Sequence, residues 1–362
     1  MTPAARPAAT AADGLPTGTG HAPGHHGEIL QGVFLDGAGR RCAGLVTLPL
    51  PGPGTTARFV RRPGTPAEAL DVLPADRAKA ARAAALAVAA CARRTGVEPC
   101  GGELRLTGDL PVGLGLGSST SDVIAAVRAV ADSYGLRLAP GTVARLAVRA
   151  ETACDPLMLD GRPCLFAQRE GRVLEVLGPA LPPLVVVGCV LGGGTPVDTL
   201  SLPARPPAQA SDTEVRDCAR LRARLRHAVA TGDARLLGEV ATASARRGQE
   251  VLGHPEFDVL TDLARAFGAV GVQLAHSGAV AGVLFAPAPG MRPRLRACLR
   301  ALDAHGIPAG PTFTTITKET AHGAARPGSS VHGTSAHGPA QRGVGRPTGP
   351  DTPRRTTPLP AL

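Results

Sequence analysis

The amino-acid sequence predicts an α+β protein folded in two lobes. Three patterns point there. Short β-like runs come first, one of them alternating apolar and polar residues. Ala-rich and amphipathic helical patterns follow. In the second half, four helical stretches surround two apolar β-like runs.

The elements follow in order along the chain. Residues 1–20 are Ala-, Pro-, Gly- and Thr-rich and are expected to be disordered. The runs "GLVTLPL" (44–50), "ARFVR" (57–61) and "GELRLTG" (102–108) predict strands, and "RAKAARAAALAVAACARR" (77–94) predicts an Ala-rich helix. After a glycine cluster, Val123, Ala126, Val127, Val130, Ala131 and Tyr134 recur at helical spacing, as on a helix buried along one face. A further helix is expected over 140–151, then a β-like pair at "PCLFAQ" and "RVLEVL", then a buried strand in "PPLVVVGCVL" (182–191). The Pro-rich "LPARPPAQA" (202–210) predicts the crossing between lobes, giving domains over 21–200 and 201–316. Helical patterns near 212–230, 233–250, 256–268 and 291–305 enclose "VGVQLAHSG" and "AVAGVLFAP". From 317 to 362 large apolar residues are almost absent, so a disordered Pro/Gly-rich basic tail is expected.

Composition narrows the function classes. The net charge is +10, of which +4 lies in the tail, where six basic residues from Lys318 onward meet two acidic ones. Aromatic residues are only 2% of the chain, so the stacking platforms of single-strand binders are missing, and a nucleic-acid partner is disfavoured. The eight cysteines include no C-x-x-C pair, and several lie in apolar runs, as expected of reduced thiols in a cytoplasmic protein. No signal-peptide layout and no membrane-length apolar run is present, so no membrane partner is expected.

The chemistry starts at "LPVGLGLGSSTSD", Leu110 to Asp122. Glycines followed by hydroxyl residues and a helix suit a phosphate cradle. Gly admits the left-handed turns that aim N–H groups inward, and the helix N-terminus attracts anions. A Walker A loop needs a Lys that this stretch lacks, and a dinucleotide fingerprint needs G-x-G-x-x-G where the chain has G-x-G-x-G-S-S. The remaining option is a loop that holds a triphosphate directly, with Ser118, Ser119 and Thr120 for N-capping, phosphate bonding or Mg²⁺.

The stretch resembles the ATP-binding motif of the GHMP kinases, P-x-x-x-G-L-G-S-S, at Pro111, Gly115, Leu116, Gly117, Ser118 and Ser119. "HAPGHHGEILQG" (21–32) sits where that family's first motif lies, and "VGVQLAHSGAVAGVLF" (270–285) looks like its third. The combination is most similar to the L-threonine kinase branch linked to cobalamin side-chain synthesis. The resemblance implies the GHMP kinase fold, with an N-terminal lobe like ribosomal protein S5 domain 2 and a ferredoxin-like C-terminal lobe. It also implies ATP and Mg²⁺ as cofactors, and a small-molecule acceptor whose hydroxyl is phosphorylated. The favoured reaction is L-threonine to O-phospho-L-threonine. Another hydroxy-amino acid, homoserine or a natural-product intermediate is the alternative, and a monomer or homodimer fits either.

The resemblance assigns residues too. ATP falls to Pro111, Gly113, Leu114, Gly115, Leu116, Gly117, Ser118, Ser119 and Thr120. In "AVRAETACDPLML", Asp155 is the expected general base, and Glu151 with Ser119 the expected Mg²⁺ pair. Glu28 and Gln31 line the acceptor pocket, with Glu28 suited to an ammonium group. His276, Ser277 and Gly278 form a turn that completes the site, and Asp198 and Thr199 are further acceptor contacts. His25 and His26 depart from the branch pattern. A metal at that pair is disfavoured because no third ligand stands at fitting spacing. Intact Ser119, Glu151 and Asp155 argue against a non-catalytic nucleotide-binding regulator.

Overall fold

A computed structural model describes residues 9–10, 14–194, 205–276 and 278–315. One long antiparallel hairpin organises the first lobe. Strands β2 (Pro16–Leu35) and β3 (Arg41–Arg61) pair from Thr17↔Val60 to Leu35↔Arg41, after a two-residue β1 (Ala9–Thr10) has paired with the start of β2. The hairpin turn closes on Asp36, whose carboxylate accepts the N–H groups of Ala38 and Arg40 at 2.8 and 2.9 Å. Strand β5 (Gly102–Gly108) extends the sheet from β3, with β4 (Leu70–Leu73) parallel to it at the edge. Strands β6 (Cys164–Ala167) and β7 (Arg172–Val176) form a side hairpin that meets β3 at Leu45↔Phe166.

Helices α1 (Ala78–Thr95), α2 (Ser118–Ser133) and α3 (Pro140–Glu151) cover this sheet. Their buried faces are built from small and β-branched residues. Ala83, Ala87 and Val88 of α1 meet Val123, Ile124 and Val127 of α2 over Phe59 and Leu104. With no Trp in the chain, the rings of this core are those of Phe59, Tyr134 and Phe166, set among alanine and valine faces that pack closely. Residues 16–20, part of the segment expected to be disordered, instead open β2. Gly18 and Gly20 let the strand lie against α2, where a Cβ would overlap helix backbone at Ala129 and Ala125. A composition typical of linkers serves a packing purpose in this strand.

The second lobe holds β8 (Val185–Val190), α4 (Asp212–Thr231), α5 (Ala234–Leu252), α6 (Phe257–Ala266), β9 (Gly271–Leu274), β10 (Val280–Phe285), α7 (Arg292–Ala304) and β11 (Ala309–Thr314). Its strands lie in the order β11-β8-β10-β9 with every pairing antiparallel, which is the split-βαβ topology of ferredoxin-like folds with added helices. Strand β8, expected in the first domain, therefore belongs to the second lobe. Among the described residues β8 pairs with β10 and β11, so the second lobe's sheet already begins after the Pro-rich stretch "LGPALPPL" (177–184), ahead of the crossing expected at 202–210. The two sheets join where Glu28 of β2 pairs with Leu274 of β9, so the described strands form one continuous sheet. Among the described residues, no helix is long and apolar enough to cross a membrane. The expected tail over 317–362 lies outside them.

Candidate active site

The cradle loop connects β5 to α2. Gly113, Gly115 and Gly117 stand at φ +80°, +92° and +73°, the left-handed region that side-chain-bearing residues seldom enter. The loop is pinned from two directions. Leu114 O accepts Val280 N–H at 3.0 Å, and Leu116 O accepts His25 N–H at 3.1 Å. A Cβ on Gly115 would stand 2.7 Å from Ala275 Cβ, and one on Gly278 would stand 2.6 Å from Gly115 Cα. The turn before β10 is thus packed directly on the loop. Leu116 and Leu110 anchor it in a small apolar cluster with Leu50, Ala275 and Val280, while Pro111 remains exposed at its start.

Gly117 is the N-cap of α2, and Ser121 N–H is the donor that bonds back to Gly117 O, at 2.8 Å. The N–H groups of Ser118, Ser119 and Thr120 precede any intrahelical partner, which leaves a donor cluster at the positive end of the helix dipole. The hydroxyls do not cap the helix. Ser119 Oγ–H donates to Glu151 Oε2 at 2.9 Å and Thr120 Oγ1–H donates to Glu151 Oε1 at 2.8 Å.

Glu151 closes α3, and Thr152 turns the chain at φ +75°, a strained conformation for a β-branched residue. Burial pushes the Glu151 carboxyl up to about 7, against the two hydroxyl hydrogen bonds that pull it down. Asp155 occupies the N-cap of a short 3₁₀ turn, Pro156–Leu159, but makes no cap bond. Its Oδ2 instead lies 3.1 Å from His25 Nε2. Burial alone would raise Asp155, yet the His25 charge and hydrogen bond override it and hold the carboxyl below its ordinary range.

His25 and Glu28 are aimed by an irregularity in β2. The β2–β3 register shifts between these two residues, and Gly27 sits there at φ +68°, as at the bulges that re-aim side chains. His25 Nδ1–H donates to Gly27 O at 3.3 Å, with Glu28 Oε1 3.7 Å away. Burial would lower His25, but Asp155 and then Glu28 raise it to about 9. Glu28 is itself raised by burial, and its Oε2 accepts His276 N–H at 2.6 Å. Suggested by the sequence as an ammonium receptor, this carboxylate is buried and bonded within the chain.

His26 points the other way. Its Nδ1 meets Gln273 Nε2 at 2.7 Å, its ring lies 5.1 Å from that of Phe313, and burial together with the His25 charge lowers it to about 3. The two histidines therefore form no chelating pair. Ligand atoms of His25, Glu28 and Asp155 do gather within 4.8 Å of one another, the geometry of a possible cation site. The short His25–Asp155 contact and the bond from His276 make the group an ion-pair cluster. Gln31 N–H donates to Ser244 Oγ at 2.9 Å, and its side chain faces Gly248, so it abuts α5. Ser277, Asp198 and Thr199 lie outside the described residues. His25 is the site residue that sequence reasoning missed, since its partner Asp155 lies 130 positions away and no local pattern links them.

Residues 79–161, which carry the cradle, Glu151 and Asp155, match the GHMP kinases N terminal domain. The chain is thus similar to the GHMP kinases over this part of its first lobe. Over 175 residues it is 27% identical to the L-threonine kinase of Citrobacter freundii, covering 48% of this chain and 59% of that protein. The chain thus spans less than two thirds of that relative's length. Homoserine kinase from Cytophaga hutchinsonii superposes with a TM-score of 0.59 at 17% identity, over 83% of this chain and 95% of that one. The mevalonate kinase of L. major, in complex with R-mevalonate, gives 0.54 at 19% identity, over 87% and 99%. These likenesses extend the GHMP kinase fold across both lobes, with the cradle in the N-terminal domain and the β9–β10 turn of the second lobe packed against it.

Proposed function

We propose that this GHMP-fold protein is an ATP- and Mg²⁺-dependent kinase that phosphorylates the hydroxyl of a small molecule in the cytoplasm, with L-threonine as acceptor and O-phospho-L-threonine as product. The observation that carries the reading is the convergence of three parts on one helix end. The left-handed glycine loop leads into the open N–H cluster of α2, Glu151 is tied to Ser119 and Thr120, and Asp155 stands beside Thr120 against His25.

The residues present fit the cofactors. A Cβ at Gly115 or Gly117 would collide with Ala275 or the His25 ring packed against the loop, so glycine is what lets the cradle keep its left-handed path, and Ser119 with Glu151 offers the oxygen donors Mg²⁺ prefers. Bound there, Mg²⁺ supplies charge neutralisation on the phosphates. The chain's own part is positioning. The cradle holds the phosphates through backbone N–H groups, the apolar cluster around Leu116 keeps the loop in place, and Asp155, ionised at neutral pH, takes the proton of the acceptor hydroxyl.

The L-threonine kinase relative supports the acceptor. The alternative acceptors are another hydroxy-amino acid, homoserine or a natural-product intermediate, and Glu28, bonded within the chain, favours among them an acceptor without an ammonium group. ADP release measured with threonine, serine, homoserine and mevalonate tests both. Threonine should turn over fastest, and Asp155→Asn should lower kcat by about 10²–10⁴-fold while nucleotide binding persists. Turnover with another acceptor alone removes threonine, and turnover with none of the four removes threonine while leaving the kinase class standing.

A further inference from the structure

His25 touches both halves of the site. Its main-chain N–H holds Leu116 O in the cradle loop, and its ring lies against Gly117, where a Cβ would stand 2.7 Å from Nε2. The same Nε2 faces Asp155 Oδ2 at 3.1 Å. The other nitrogen is fixed on Gly27 O, so the ring is held as a double donor with little freedom to rotate.

The surroundings are specific. From β2, Glu28 and Gly27 O face the ring. Asp155 faces it from the stretch after α3, and the cradle contributes Leu116 O and the backbone of Gly117. The Thr120 hydroxyl and His276 act on Asp155 from α2 and the β9–β10 turn. No lysine or arginine charge figures among the main influences on Asp155. His25 is therefore the buried cation that directly contacts the proposed base. A carboxylate in such a place, stripped of its cation, is driven toward the neutral acid.

Resting on the kinase reading above, we propose that His25 is the positioning residue for Asp155, aiming its carboxylate at the acceptor and coupling that aim to the cradle loop. The imidazolium keeps both protons through the reaction. The hydroxyl proton passes to Asp155, the acceptor oxygen forms its bond to the γ-phosphorus, and the electrons of the broken P–O bond leave with ADP. Loop and base share one side chain, so a displaced cradle also displaces the base.

The test compares His25→Gln and His25→Lys in the full chain. His25→Gln keeps a donor but removes the charge. It should lower kcat by about 10²-fold or more, and kcat should then rise with pH, because Asp155 loses its ionising partner. His25→Lys restores a cation and should recover much of kcat and return the pH profile toward that of the parent. KM for ATP should change far less than kcat in both. A His25→Gln protein with kcat within threefold of the parent and an unmoved pH profile overturns the proposal. So does a folded His25→Lys no more active than His25→Gln. Should His25→Gln fail to fold, the kcat and profile of His25→Lys decide the question. The pairing also has a readout without turnover: Asp155→Asn should move the His25 ring ¹⁵N resonances and lower their titration midpoint. A chain that phosphorylates nothing yet shows this shift loses the kinase reading and keeps the pair; unshifted resonances overturn the pair itself.

Discussion

Gly117→Ala isolates the packing demand of the cradle when set beside Gly39→Ala. The two glycines share nearly the same backbone, φ +73° and +75°, but differ in what a Cβ would meet. At Gly39, in the exposed β2–β3 turn, nothing lies within 4 Å. At Gly117 the new carbon would overlap the His25 ring, which is held by Gly27 O and Asp155 while Leu116 O holds its main chain. Left-handed backbone costs alanine about 1–2 kcal/mol at either position. Overpacking a held ring adds about 1–3 kcal/mol at Gly117 alone. Gly39→Ala should therefore lose about 1–2 kcal/mol and Gly117→Ala about 2–5 kcal/mol, read as shifts of the urea midpoint at unchanged slope. Nucleotide binding should persist in the first variant and fail in the second. Equal losses in the two proteins would refute the claim that His25 and the cradle are packed as one unit.

Other outcomes follow from the same geometry. Glu151→Gln keeps a carbonyl acceptor for one of the Ser119 and Thr120 hydroxyls, turns an amide donor toward the other and removes the charge, and should raise the Mg²⁺ concentration for half-maximal ADP release by about 10-fold or more. His26 falls from 6.5 to about 3 on folding, so the unfolded chain binds more protons in that window, and stability should fall as pH drops through it, by up to about 1.4 kcal/mol per pH unit. His25 rises from 6.5 to about 9, so its contribution is full below 6.5 and is lost as pH climbs through 9. Melts across pH should place the optimum of the two near 6.5, and His26→Leu should flatten the acid limb. Ser211→Ala removes one arm of the capping box that Ser211 and Glu214 form at the start of α4, and should cost about 1 kcal/mol in thermal or urea unfolding.

What could be read from the chain alone was what is local. The helix expected over 140–151 runs from Pro140 to Glu151, because its proline start and periodic Val143, Leu146 and Ala147 are contained within it. The cradle was legible for the same reason, since three glycines and two serines state their backbone needs within seven residues. Long-range pairing left no such trace. Strand β8 looked like part of the first domain because its partners come 90 residues later, and β4 and β11 carried too little pattern to be noticed. The start of β2 was hidden by glycines that seemed to signal a linker. Nor could the two adjacent histidines be told apart in the chain, although the bulge at Gly27 sends them to opposite environments.

The strand pair Glu28↔Leu274 has a mechanical consequence. It is the rung by which β2 of the first lobe meets β9 of the second, and Glu28 also grips the turn that follows β9 through His276. The rung does not stand alone, because Ile29, Leu30 and Phe34 of β2 pack in one buried core with Val186, Leu221, Leu225 and Leu237 of the second lobe. His25 and Asp155 therefore lie beside a seam that both lobes fill, and the charged cluster inherits its rigidity from side chains of each.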